Sequence, residues 1–215
     1  MQVIDGLGPQ ESKATYDYGY DHPYFGQIFL AASLSLINFP DSLHPSVNLH
    51  SIEMLYIVPR IVMGTLAVID TFLVYKIAET RYNRKVAFIS ATLFAVMPLS
   101  RILRGILLDS IDLPFILLSI LFAVYYAKYA SQTGANNNSD KKFLLMLLSG
   151  IFLGLAIFTK IPVFTLIPLL AFIIVQGNKK GQFWNNIQKN GLKRLALWFV
   201  PVILIPIIWP AYALS

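Results

Sequence analysis

The feature that most constrains this chain is a series of apolar runs close to the length a helix needs to cross a bilayer, separated by short basic turns. A spanning helix needs roughly 20 predominantly apolar residues, and Met54–Ile77 is the first convincing run of that kind. The runs lack the alternation of polar and apolar residues that marks a barrel strand. Backbone amides and carbonyls in hydrocarbon must pair within their own segment, which leaves helices as the spanning elements. Composition agrees: 56% of the 215 residues are hydrophobic and only 13% charged, with a mean hydropathy of +0.63, too apolar for an ordinary water-soluble domain. The absence of Cys excludes disulfides and thiolate metal sites.

Along the chain, Gly26–Phe39 is short, lies between Pro23 and Pro40, and reads as an interfacial or re-entrant helix. After Met54–Ile77 comes a polar turn, Glu79–Lys85, and a second run, Val86–Leu99. Ile106–Tyr129 is the third span. Ala130–Lys142, with Asn136, Asn137 and Asn138, reads as a solvated loop. Phe143–Phe158 and Ile161–Val175 form a hairpin turning at Thr159 and Lys160. A basic stretch, Asn178–Arg194, precedes the final span Leu195–Leu214. The predicted fold is an all-α, polytopic transmembrane helical bundle of about six spans plus an outer interfacial helix. Residues 1–51 form a non-cytoplasmic loop with that helix, and residues 52–215 form the transmembrane core.

Alternating turns put Lys76, Arg81, Arg84, Lys85, Lys128, Lys141, Lys142, Lys179, Lys180, Lys189, Lys193 and Arg194 on one side, twelve of the 17 basic residues. Lys13, Arg60, Arg101, Arg104 and Lys160 fall on the other. The richer side is cytoplasmic by the positive-inside rule. The net charge of +6 therefore reflects orientation rather than nucleic-acid binding. Acids skew the opposite way: Asp5, Glu11, Asp17, Asp21, Asp41, Glu53, Asp109 and Asp112, eight of eleven, lie outside. Acids carry little topogenic weight, so a working surface on the outer side is one explanation. This layout places the N-terminal loop outside with no helix before it, which implies a preceding span and a chain that is a fragment or a split gene product.

Three groups of residues carry candidate chemistry. Tyr16-Asp17-Tyr18-Gly19-Tyr20-Asp21-His22-Pro23-Tyr24-Phe25-Gly26-Gln27 mixes aromatic faces, which stack on sugar rings, with carboxylates able to take a proton from a hydroxyl. An aromatic belt at the membrane interface accounts for the tyrosines equally well. Asp109 and Asp112 stand three apart at the outer start of the third span, on one helix face. Plain capping and dipole chemistry explains acids there too, with Pro114 tolerated in the first turn. Arg101, Arg104 and Lys160 lie at outer ends of spans, where they either grip an anionic headgroup or snorkel. Asp70, well inside the first span, reads as a packing residue with its hydrogen bonds satisfied. His44 and His50 have no recognisable ligand spacing.

Taken in order, these motifs resemble those of the polytopic glycosyltransferases of the C superfamily, above all the protein O-mannosyltransferases. Asp21-His22-Pro23-Tyr24 stands where that family has an acid before His-Pro-Pro, with the second Pro replaced. Ser100-Arg101 and Ile106-Leu107-Leu108-Asp109-Ser110 are similar to a later family motif, with Arg104 and Gly105 between its halves. Gly150, Gly154, Leu155, Ala156, Thr159 and Lys160, followed by Pro162 and Pro168, are similar to a Gly-rich helix ending in Thr-Lys. The resemblance covers Asp21 to Pro168. The family's catalytic acid belongs to an Asp-Glu pair after its first transmembrane helix, and this chain has no such pair; Asp5, Glu11 and Asp17 are the acids upstream of Asp21.

The resemblance implies a membrane glycosyltransferase that moves a sugar from a polyprenyl- or dolichyl-phosphate donor to a hydroxyl on a protein, glycan or lipid at the outer face. It assigns Asp21, with Asp17 as the second candidate, as catalytic acid residue. Arg101, Arg104 and Lys160 are assigned to donor phosphate, and His22, Tyr20, Tyr24, Asp109 and Asp112 to substrate. No organic cofactor is called for, and a divalent cation is compatible with the carboxylates. The cell membrane is the expected location. Two rivals stand beside this reading. A polytopic transporter would place polar groups near the midplane, whereas here Asp70 alone lies there. A catalytically incomplete membrane partner would account for the missing acid pair.

Overall fold

The computed structural model describes residues 25–36, 49–97, 108–131, 139–176 and 192–213. No strand occurs among them, and the fold is the expected all-α membrane bundle. Its helices are α1 (Phe25–Ser35), α2 (Leu49–Arg81), α3 (Arg84–Val96), α4 (Leu108–Ser131), α5 (Ser139–Thr159), a 3-10 helix (Ile161–Leu166), α6 (Ile167–Gln176) and α7 (Leu192–Ala213). Among the described residues, α2, α4 and α5 are long and apolar enough to cross a membrane by length and composition. With 22 residues α7 is about 33 Å long, whereas α3 has only 13 residues.

Several boundaries differ from those expected, each for a local reason. The 33-residue α2 begins before Met54 and runs into the expected polar turn as far as Arg81. Lys76 pairs with Glu79 at 2.8 Å and Arg84 approaches it at 3.4 Å, so these charges are held on helix ends. Only Tyr82 and Asn83 interrupt the backbone. Asn83 is an N-cap in extended conformation whose side chain accepts from Val86 N at 2.9 Å, which restarts a helix at once. Likewise α4 and α5 trim the Asn-rich loop from both ends; Asp140 lies in the first turn of α5, where an acid favours the helix dipole. The run Ile161–Val175 opens as a 3-10 helix because Pro168 lacks the N–H that an α-helix would direct to Phe164, and Ile167 N–H bonds to Phe164 O instead. Pro114 is well inside α4 rather than in its first turn.

The packing order follows from side-chain size. In the middle, α4 packs against α5 and α2 and also touches α6; α5 carries α7 on its other side, and α3 leans on α2. The main core gathers Tyr126, Met146, Leu153, Ala156, Leu170, Ile174, Trp198 and Val202, all buried. A smaller cluster, Leu73, Leu117 and Leu121, joins α2 to α4. Gly150 and Gly154, one turn apart on α5, let α7 approach until backbone nearly touches backbone: a Cβ on Gly150 would lie 2.7 Å from Trp198 O. Ser119 Oγ of α4 donates to Ser149 O of α5 at 2.8 Å, and Trp198 Nε1 of α7 lies 3.4 Å from Ser149 Oγ. These fully buried polar groups therefore satisfy one another across three helices. Between α2 and α3, Gly64, Ala67, Ala91 and Ala95 floor an apolar groove of about 690 Å³ walled by Val68, Phe72 and Tyr75.

Candidate functional site

The start of α4 and the end of α5 carry the densest cluster of charged candidates that the described residues contain. α5 stops at Thr159, whose Oγ1 turns back to Leu155 O at 2.9 Å. Lys160 follows in extended conformation (φ −150°, ψ 116°), its N–H still bonded to Ala156 O at 2.9 Å and its carbonyl accepting from Val163 N at 3.2 Å. One extended residue therefore links two helices, with Pro162 in the first turn of the second. This fixes the start of the Lys160 side chain at the rim of the bundle.

That side chain crosses to α4. Lys160 Nζ pairs with Asp109 Oδ1 at 2.5 Å, a contact between residues 51 apart in sequence. Asp109 lies in the first turn of α4, where the helix dipole favours its charge. Its side chain is half exposed, and that of Lys160 29% exposed. One turn further in, Asp112 is only 4% exposed, and its Oδ1 has no hydrogen-bond partner. Among the described residues, Asp109 and Lys160 are the charged groups that act on it electrostatically. The two acids of the sequence motif thus share a face but not an environment: Asp109 stands at the rim and Asp112 forms a floor.

An aromatic ladder ties α1 to this end of the bundle. The Phe25 ring lies 5.5 Å from Phe115 and 5.7 Å from Phe158, and Phe29 lies 6.3 Å from Phe115. Phe152 extends the stack to Phe115 and Phe122. Phe115 is three residues beyond Asp112, and Phe158 is two before Lys160. The start of α1 is therefore seated beside the charged cluster by Phe25, which belongs to the aromatic run read from sequence, and by Phe29, Phe115 and Phe158, which were not identified as site elements. Their spacing held the signal, since Phe25 and Phe29 are four apart and share a helix face.

Of the residues assigned from sequence, Asp109, Asp112 and Lys160 are brought together. Asp17, Tyr20, Asp21, His22, Tyr24, Arg101 and Arg104 lie outside the described residues. Asp70 corrects an expectation: it is 3% exposed on the buried face of α2 with Pro59, Met63 and Leu73, and its Oδ1 has no hydrogen-bond partner. It is a packing residue by position, but an unsatisfied one. Among the described residues no three His, Cys, Asp or Glu side chains group as metal ligands.

The family model described as Dolichyl-phosphate-mannose-protein mannosyltransferase matches residues 14–214. No curated protein and no solved structure matches the chain.

Proposed function

This chain belongs to the dolichyl-phosphate-mannose-protein mannosyltransferase family, and from that premise we propose that it transfers mannose to a hydroxyl acceptor at the outer face of the cell membrane. The family is one of membrane glycosyltransferases that use dolichyl-phosphate mannose. In the reaction, the acceptor oxygen attacks the anomeric carbon. A new C–O bond forms as the bond from that carbon to the phosphate oxygen breaks. The acceptor's proton passes to a carboxylate, and dolichyl phosphate leaves. Asp21 is the base in this reading, with Asp17 as the second candidate, while Arg101 and Arg104 counter the charge growing on the phosphate. Tyr20, His22, Tyr24, Asp109 and Asp112 line the substrate. The acceptor is a protein hydroxyl.

The observation that carries this reading is the seat of Phe25 on Phe115 and Phe158. Asp21 precedes Phe25 by four residues, a chain length of at most about 14 Å. That short link supports reading the acid-His-Pro motif together with Asp109, Asp112 and Lys160. Substituting Asp21→Asn keeps the shape and removes the base. In a membrane assay with dolichyl-phosphate mannose and an acceptor peptide, this change lowers transfer at least about 100-fold with insertion intact. Asp17→Asn costs less. Transfer at the parental rate by the Asp21→Asn chain would show that the proton goes elsewhere.

A further inference from the structure

The outer rim pairs a cation with two carboxylates, and that balance is wrong for a phosphate. Lys160 is already engaged by Asp109, and Asp112 adds a second acid within electrostatic reach. A phosphate drawn to Lys160 would share the ammonium with Asp109 and face both carboxylates. We propose that Asp109, Lys160 and Asp112 instead read hydroxyls of the donor's sugar ring, the phosphate being held by other cations; this assignment rests on the donor class given above.

The chemistry of the three groups fits such a ligand. A sugar hydroxyl both donates and accepts, so it needs an acceptor and a donor side by side. An ammonium has three N–H groups, of which Lys160 directs one to Asp109 Oδ1 and leaves others for ring hydroxyls. Asp109, half exposed, offers its remaining acceptor capacity at the rim. Asp112 supplies the independent sign of a ligand, because the residue is only 4% exposed and its buried Oδ1, which no donor reaches, is costly until a hydroxyl or other donor meets it. Half-buried Phe25, stacked beside the same end of the bundle, adds an aromatic face of the kind that sugar C–H groups cover. A site whose polar groups await hydroxyls also discriminates strongly against analogues that lack them.

Binding of two probes to the full chain in lipid nanodiscs separates sugar from phosphate: dolichyl-phosphate mannose and bare dolichyl phosphate. Lys160→Met and Asp109→Asn should each weaken the sugar-bearing probe by about 10- to 150-fold, the loss of one charge-assisted hydrogen bond, and leave the bare lipid phosphate unchanged. Retained binding of the bare probe also shows that each variant is folded. Equal weakening of both probes would make Lys160 a phosphate grip and overturn the assignment. Should a variant fail to fold, the parental chain decides the matter with singly deoxygenated mannosyl donors. Selective loss for particular deoxy positions supports hydroxyl reading, and undiminished binding of every deoxy donor overturns it. A parental chain that binds bare dolichyl phosphate but gains nothing from mannose sinks this assignment while leaving the donor class standing. One that binds neither probe sinks both.

Discussion

Gly154 faces Pro201 so closely that a methyl group on Gly154 would stand 2.6 Å from the Pro201 carbonyl oxygen. The obstacle is backbone, which cannot rotate away. Gly154→Ala should therefore force α5 and α7 apart and destabilise the bundle by about 1–3 kcal/mol, the usual cost of overpacking. A thermal melt in detergent reads the change. Adding Ile205→Ala removes the Cδ1 contact at 3.1 Å but not the carbonyl, so it should fail to restore the melting temperature. Rescue by that second change would mean that the side chain, not the backbone, sets the approach of the two helices.

Asp70 makes a prediction of opposite sign. Its carboxyl is buried on α2 with no partner for Oδ1, and an uncompensated buried charge costs more than a neutral group of the same shape. Asp70→Asn should raise stability by about 1–3 kcal/mol. The reaction proposed above does not use Asp70, so transfer by this variant should match the parental chain. A stable variant that has lost transfer would give Asp70 a working role, and a destabilised one would show that the carboxyl has a partner in the membrane.

The sequence made some features of this molecule legible and concealed others, and the division has physical causes. Spans could be read because hydrocarbon admits little besides a continuous apolar helix. Their ends could not, because Asn83 caps a new helix within two residues of the last, a local choice that a hydropathy window averages away. The pairing of Lys160 with Asp109 joins segments 51 residues apart, and spacing along one helix is silent about a partner on another. Spacing did put Asp109 and Asp112 on one face, yet their unequal burial depends on tertiary packing that spacing does not report. Gly150 and Gly154 were visible as part of a motif, while the reason for them, the carbonyls of Trp198 and Pro201, lies on a helix more than forty residues later.

Topology decides whether the charged cluster can meet a donor at the outer face, and the distribution of basic residues fixes the expected answer. Tyr82 is 74% exposed in the turn between α2 and α3, flanked by Arg81 and Arg84. Asn137 belongs to the segment between α4 and α5, and Lys128, Lys141 and Lys142 lie near it in sequence. The Asp109–Lys160 pair sits at the opposite ends of those same two helices, so cytoplasmic placement of residue 137 requires outer placement of the pair. Single cysteines introduced at Tyr82 and Asn137 should react with a membrane-impermeant maleimide only after the cytoplasmic face is opened. One at Ser46 should react in sealed vesicles of native orientation. The chain has no native Cys to confuse the readout. Labelling of residue 137 from outside would put Asp109 and Lys160 on the cytoplasmic side, away from any acceptor presented outside, and would reverse the direction of transfer proposed here.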